Sequence, residues 1–320
     1  MSSKSLTALV FPGQGSQIVG MGKDLYDNFL SAKAVFDNVD EVLGLKLSRI
    51  IFEGPSEELT KTQNTQPALM AVSIALMEVL EKDFGKKITD LCSLTAGHSL
   101  GEYSALCATK AISLEETAKL LQVRGNAMAN CGNKTVGSMA AILGVEIDIA
   151  QKIADEASIN DSGIREACQV ANDNSVGQIV ISGSKSAILR AIEIAKLRGA
   201  KRAIELPVSG AFHSSLMQDA EVEMRNALAK AKIKPPIIPV IANFTAMEVS
   251  NPTEIKELLA KQITGSVRWR ETMLYFESKG IKEIIEIGSG KVLSGLVGRT
   301  CSSISTKSIQ NVIDIEAFVK

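Results

Sequence analysis

The chain alternates short apolar runs with longer stretches of helical spacing, and glycine or proline marks most of the changes. Leu6-Thr7-Ala8-Leu9-Val10-Phe11 is stopped by Pro12-Gly13 and predicts a first buried strand. Residues 22–84 read as helices joined by short turns. Ser56, after Gly54-Pro55, is a candidate N-cap. Thr65-Gln66-Pro67 predicts a helix start with proline in its first turn, continued by apolar spacing from Ala68 to Leu80. Asp90 to Ala96 reads as a short buried strand, and Glu102 to Ala108 as a helix of small residues suited to close packing on a sheet. A longer helix is predicted over Leu114–Ala129, ended by a polar break at Gly132-Asn133-Lys134.

From about residue 135 the pattern changes. Strand (Gly137–Leu143), helix (Glu146–Ala157), strand (Ala167–Ala171), an Asn172-Asp173-Asn174-Ser175 turn, strand (Gln178–Ser182), helix (Lys185–Leu197) and strand (Arg202–Leu206) follow in order. This β-α-β-β-α-β succession is the split βαβ, ferredoxin-like pattern. It predicts a small unit over 135–206 inserted into a larger α/β body of 1–134 and 207–320. Asn172-Asp173-Asn174 is first of all a hairpin turn by residue type. Beyond Pro207, Val208-Ser209-Gly210-Ala211-Phe212-His213-Ser214 has turn chemistry and leads to a helix from Ser215 towards Ala231. A proline-led strand (Pro235–Asn243), helices near 253–264 and 270–279, a last strong strand (Lys282–Ile287) and a helix (Val292–Arg299) complete the reading.

Composition narrows the function. The 320 residues suffice for one large domain or two smaller ones, and 45% hydrophobic with 22% charged residues is ordinary for a globular chain. A formal net charge of −1 gives no basic surplus for nucleic acid or an anionic membrane, and one Trp with three Tyr argues against base stacking. The five cysteines form no CxxC pair and fit buried, reduced thiols of a cytoplasmic protein. The first apolar run is too short for a signal-peptide core, and no run approaches a membrane span. No metal-ligand cluster or cofactor motif is expected.

The chemistry centres on Gly97-His98-Ser99-Leu100-Gly101, a Gly-x-Ser-x-Gly nucleophile elbow between a predicted strand and helix. Alone, such a pattern is often only a turn between glycines. Here the two glycines let the chain double back, which presents the Ser99 hydroxyl at a helix N-terminus. A serine nucleophile needs a base, and histidine suits that task. The chain has two. His98 neighbours Ser99 on the tight turn, points elsewhere and reads as a wedge supporting the turn. His213 is the sterically reasonable base. No acid stands out as a third member. Glu102 is one turn beyond the serine on its own helix and faces away, so a backbone carbonyl could orient the imidazole instead. Phe11-Pro12-Gly13-Gln14-Gly15-Ser16-Gln17 is a glycine-rich turn at a strand's carboxyl end, where ligands sit in open α/β sheets, or else a plain strand-to-helix connection. Arg124, late in its predicted helix, reads by default as a solvated or dipole-pairing charge.

These motifs, in this order and over essentially the whole length, resemble the malonyl-CoA:acyl carrier protein transacylase family of dissociated, bacterial-type fatty acid synthesis. The resemblance implies an α/β-hydrolase-like large domain, an inserted ferredoxin-like small domain and an active site in the cleft between them. By motif, it implies Ser99 as the acylated nucleophile and His213 as its base. Backbone N–H groups of Gln14 and Leu100 would form the oxyanion hole. Arg124 would hold the malonyl carboxylate, and Gln262, ahead of Gly265-Ser266-Val267-Arg268-Trp269, would orient the histidine through its carbonyl. Asn174 is carried over from a loop near the cleft. Phe212 matches the malonyl-selecting version of its motif in related polyketide acyltransferases, where a bulky ring would crowd an α-methyl branch. The implied partners are malonyl-CoA and holo acyl carrier protein, whose phosphopantetheine is the partner's own group. Ser289 departs from the family's usual Gly-Pro-Gly, which is expected to loosen that turn slightly. Two other classes share these features: a serine esterase or thioesterase with the same elbow, and a non-catalytic carrier-docking protein.

Overall fold

The structure, a computed structural model, describes residues 6–134, 136–208 and 210–320. After β1 (Thr7–Phe11) come the helices α1 (Lys23–Asn28), α2 (Leu30–Leu43), α3 (Leu47–Glu53), α4 (Ser56–Thr60), α5 (Thr62–Lys82) and the short α6 (Ile88–Leu91). Next are β2 (Leu94–Gly97), α7 (Gly101–Ala108) and α8 (Leu114–Lys134). A middle stretch runs β3 (Gly137–Leu143), α9 (Ile147–Ala157), β4 (Cys168–Ser175), β5 (Gln178–Ser184), α10 (Lys185–Leu197) and β6 (Arg202–Glu205). A 3-10 turn (Ser215–Met217) precedes α11 (Gln218–Lys230), β7 (Val240–Ala242), β8 (Met247–Val249), α12 (Pro252–Lys261) and α13 (Trp269–Ser278). The chain closes with β9 (Glu283–Ile287), α14 (Val292–Thr300), β10 (Ser305–Ile309) and α15 (Val312–Val319).

The strands form a six-stranded sheet, ordered β10-β9-β1-β2-β7-β8, and a four-stranded sheet, ordered β4-β5-β3-β6. The larger sheet is parallel except for the edge strand β8, and the smaller is antiparallel throughout. A parallel strand buried on both faces has no polar side, which is why β1 reads as an unbroken apolar run. Its side chains still alternate. Leu9 and Phe11 enter the main core with α5 and α7, whereas Ala8 and Val10 enter a second core with Trp269, Met273, Phe276 and Leu296. The smaller sheet has its own apolar core, built from Ile142, Ile181, Ile153 and Ile188 among others.

Along β4 the smaller sheet meets the segment that leads into α13. Asp173 donates its backbone N–H to the Val267 carbonyl (3.0 Å), Val267 returns its own to Ala171 (2.9 Å), and the buried Asp173 carboxylate pairs with Arg270 (2.9 Å). Asn172 to Ser175 therefore continue β4 instead of turning. The hairpin turn is Val176-Gly177, with Gly177 at φ 67°. Residue types that favour turns sit in a strand here because neighbouring segments supply partners for them.

Other expectations shift for local reasons. Asp90 and Leu91 belong to α6, where their N–H groups bond the Lys87 carbonyl, and β2 begins only at Leu94. Ser56 is the first residue of α4, which lacks a side-chain cap bond. Pro67 lies inside α5, beyond its first turn, because the helix already starts at Thr62. Gly132-Asn133-Lys134 remains helical as the end of α8. The proline-led strand shrinks to β7, since Pro235, Pro236 and Pro239 offer no ladder N–H. The edge strands β8 and β10 and the terminal helix α15 were not expected. β10 is polar and mostly exposed, and its apolar signal is correspondingly weak. The expected unit boundary at 135 and the serine of Val208-Ser209-Gly210 lie outside the described residues. No helix among the described residues is long and apolar enough to cross a membrane. The cysteines are unpaired, with Cys168 only half-buried.

Candidate active site

The elbow forms where β2 meets α7. A side chain at Gly97 would place its Cβ 1.9 Å from the Gly101 carbonyl carbon, and one at Gly101 would meet the Phe11 carbonyl at 2.3 Å. Both positions require glycine because three backbone segments touch there. Ser99 takes a left-handed φ of 53°, and His213 one of 56°. Non-glycine residues adopt this region at a cost, so surrounding bonds must hold both in place.

The two side chains meet. Ser99 Oγ and His213 Nε2 are 2.8 Å apart, although the residues lie far apart in sequence. His213 Nδ1 is 2.8 Å from the Gln262 carbonyl, an acceptor, so Nδ1 carries the hydrogen and Nε2 is free to take the serine proton. Burial, followed by the Arg124 charge, pushes the His213 pKa down to about 3. The imidazole is thus neutral at rest, and imidazolium is favoured only together with a developing negative charge.

Arg124 is not on a solvated face. It is 1% exposed, because α8 extends well past it and packs against α5 and α11. Its Nη2 donates to Ser99 Oγ (3.0 Å) and to Gln262 Oε1 (2.9 Å), and its Nη1 to Gln66 Oε1 (2.6 Å). These partners are neutral, and its guanidinium carbon lies 5.8 Å from the centre of the Tyr103 ring. A buried cation held by neutral dipoles favours an incoming carboxylate strongly.

Glu102 points away from His213, as expected, but into a second network. Its Oε2 accepts from Gln262 Nε2 (2.7 Å) and from the Asn243 backbone N–H (3.0 Å). Burial raises its pKa to about 7. Gln262 Nε2 also reaches the Ser99 carbonyl (3.0 Å). Asn243 accepts the Ser99 backbone N–H at Oδ1 and donates Nδ2 to the Gly97 carbonyl, both at 2.7 Å. Asn243 thus clamps the elbow on both sides of His98, at Gly97 and at Ser99. Sequence reading missed it. It lies just past the carboxyl end of β7, a parallel strand, and that position is the signal that would have found it. Gln169 was missed as well. It bonds the Thr264 carbonyl (3.1 Å) and the Ser215 N–H (3.0 Å), bracing the His213 loop from β4.

The remaining expected residues fall as follows. Gln14 sits in the loop after β1, and Leu100 opens α7 beside Ser99. Phe212 is buried in the main core. His98 packs its ring edge on Trp269 (centroids 5.4 Å apart) and bonds Asn174 Oδ1 through Nε2 (2.8 Å), well occupied away from Ser99. Asn174 is therefore a strand residue tied to the elbow. The turn expected to loosen at Ser289 carries a bond of its own. The buried Ser289 hydroxyl donates to the Ser16 carbonyl (2.7 Å) and pins the glycine turn to the loop after β1, a bond proline could not make.

The resting pKa of His213 sets a pH expectation. Serine acylation, followed by rapid quench, will show no limb at the ordinary histidine pKa of about 6.5. Any inflection near neutrality will belong to Glu102 and vanish in Glu102→Gln. A limb near 6.5 that survives this substitution contradicts the assignment.

The chain matches the acyl transferase domain family over residues 8–315. It is 44% identical to a malonyl CoA-acyl carrier protein transacylase of Bacillus subtilis, covering 99% of this chain and 97% of the relative. It superposes on the crystal structure of an acyl-carrier-protein-S-malonyltransferase from Bartonella henselae with a TM-score of 0.92, at 48% identity and 98% coverage of both chains. A malonyl-transacylase in complex with its type II PKS acyl-carrier protein matches with a TM-score of 0.92 at 35% identity, over 99% of both chains. With the elbow serine, its histidine and the buried arginine in one site, and likeness of this extent, the chain belongs to the acyl transferase family, among the malonyl CoA-acyl carrier protein transacylases.

Proposed function

We propose that this protein transfers the malonyl group of malonyl-CoA to the phosphopantetheine thiol of holo acyl carrier protein, supplying fatty acid synthesis in the cytoplasm, with no metal or cofactor of its own. One observation carries the reading: a single oxygen, Ser99 Oγ, lies 2.8 Å from His213 Nε2 and 3.0 Å from a buried guanidinium. The first contact suits acyl transfer. The second suits an acyl group that ends in a carboxylate.

In the first half-reaction Ser99 Oγ attacks the thioester carbonyl while its proton passes to His213 Nε2. Backbone N–H groups of Gln14 and Leu100 receive the oxyanion. The carbon–sulfur bond breaks, the CoA thiolate takes the proton from His213, and malonyl-Ser99 remains. The carrier thiol then gives its proton to His213 and attacks the ester; the bond between Ser99 Oγ and the acyl carbon breaks, and Oγ takes the proton back from His213. Gln262 orients the imidazole, Arg124 holds the malonyl carboxylate, and Phe212 and Asn174 border the acyl site. A ring at 212 would crowd an α-methyl branch, so methylmalonyl should be a poor substrate.

The strand order supports a finer description of the fold: an α/β-hydrolase-like body over 1–134 and 207–320, with a ferredoxin-like domain over 135–206 whose β4-β5-β3-β6 order is that of the split βαβ pattern. Gln262 and His213 belong to the body and Asn174 to the insert, so the site lies at their junction.

The test is CoA release without a carrier. Malonyl-CoA alone gives one burst of about one equivalent and then stalls, and holo carrier protein restarts it. Rapid continuous release identifies a hydrolase instead, and no release identifies a non-catalytic docking protein.

A further inference from the structure

The arginine and the oxyanion loop are joined by a directed chain of hydrogen bonds through the start of α5. Arg124 Nη1 donates to Gln66 Oε1 (2.6 Å), Gln66 Nε2 donates to Thr62 Oγ1 (2.9 Å), and Thr62 Oγ1 donates to Gln14 Oε1 (3.0 Å). Arg124 has only donors to give, so every later group is oriented by the one before it. A hydroxyl with one proton can both accept from Gln66 and donate to Gln14. Valine, of the same shape, can do neither. Thr62 and Gln66 stand one helical turn apart and are both about 1% exposed, so the link between them and the link to Arg124 strengthen one another away from solvent.

The far end of this chain needs a tether. Gln14 stands between Gly13 and Gly15, the latter at φ 104°, and it lines an open groove of about 510 Å³ together with Thr62, Lys61 and Gln63. The Thr62 bond holds the Gln14 side chain itself. Ser289 holds the same loop two residues later, through the Ser16 carbonyl.

We infer that Thr62 is a positioning residue: its hydroxyl fixes Gln14, and with it the oxyanion-binding N–H, in register with the acyl-selecting arginine. This rests on the transferase reading above. It acts on the tetrahedral stage, when charge reaches the carbonyl oxygen, and not on the affinity for CoA.

Rapid-quench acylation by malonyl-CoA tests it with Thr62→Val, Thr62→Ala and Thr62→Ser, each checked by thermal melting. Loss of the tether is expected to slow the maximal acylation rate of the valine variant about tenfold. The half-saturating malonyl-CoA concentration should stay within about twofold, and serine should restore the rate. Alanine repeats the valine result if valine fails to fold. Wild-type rates in the valine or alanine variant overturn the inference, as does a purely KM effect or a serine variant as slow as valine. If the wild type itself takes no malonyl, the transferase reading falls and the inference with it.

Discussion

Alanine at position 213 will abolish acylation of Ser99, with a loss of about 10⁴-fold or more in rate. The expectation follows from three contacts. Ser99 Oγ has His213 Nε2 at 2.8 Å, the opposite ring nitrogen is fixed on the Gln262 carbonyl, and His98 is committed to Asn174 and Trp269. Among the described residues no second base is bonded to Ser99 Oγ. His98→Ala should lower stability by about 1–2 kcal/mol, through one hydrogen bond and one ring contact, and leave acylation largely intact. Stopped-flow acylation with melting curves reads both. A dead His98→Ala beside an active His213→Ala would show that the roles are reversed.

Arg124→Ala will cost malonyl transfer about 2–5 kcal/mol in kcat/KM, roughly thirtyfold to several thousandfold, and acetyl transfer less than about tenfold. The difference has two sources. The buried guanidinium supplies the only full positive charge bonded to Ser99 Oγ among the described residues, and a neutral acyl end cannot pair with it. The same charge also depresses the proton affinity of His213. A malonyl carboxylate paired with Arg124 would cancel that effect and strengthen His213 as the proposed base when the right acyl group is bound. Selectivity should therefore appear in kcat as well as KM. Competition assays with malonyl- and acetyl-CoA measure it, and equal losses for the two acyl groups would contradict the assigned role.

The parts of the site written in local sequence were readable. Gly97 and Gly101 must be glycine because of backbone approach, and the elbow follows from their spacing. His213 was reachable because the chain has two histidines and one is sterically excluded. The supporting network was not readable in this way. Glu102, Asn243 and Gln262 come together across more than a hundred residues, and nothing in their own surroundings announces it. Arg124 looks like any helix-surface cation until α8 proves longer than its polar ending suggests. The same cause moved Asn172–Ser175 from a turn into β4: partners on Val267, Arg270 and His98 outweigh the local preference. Ser289 carries a similar lesson, since its hydroxyl makes a tether where only a weaker turn was expected.

The central claim is that one hydroxyl carries the acyl group between two thiols. Peptide mass mapping after brief exposure to malonyl-CoA, before and after holo carrier protein is added, tests it most directly. The account predicts malonyl on the peptide containing Ser99 alone, removed from Ser99 and recovered on the carrier. Malonyl on another residue, or a label on Ser99 that the carrier cannot discharge, would contradict it.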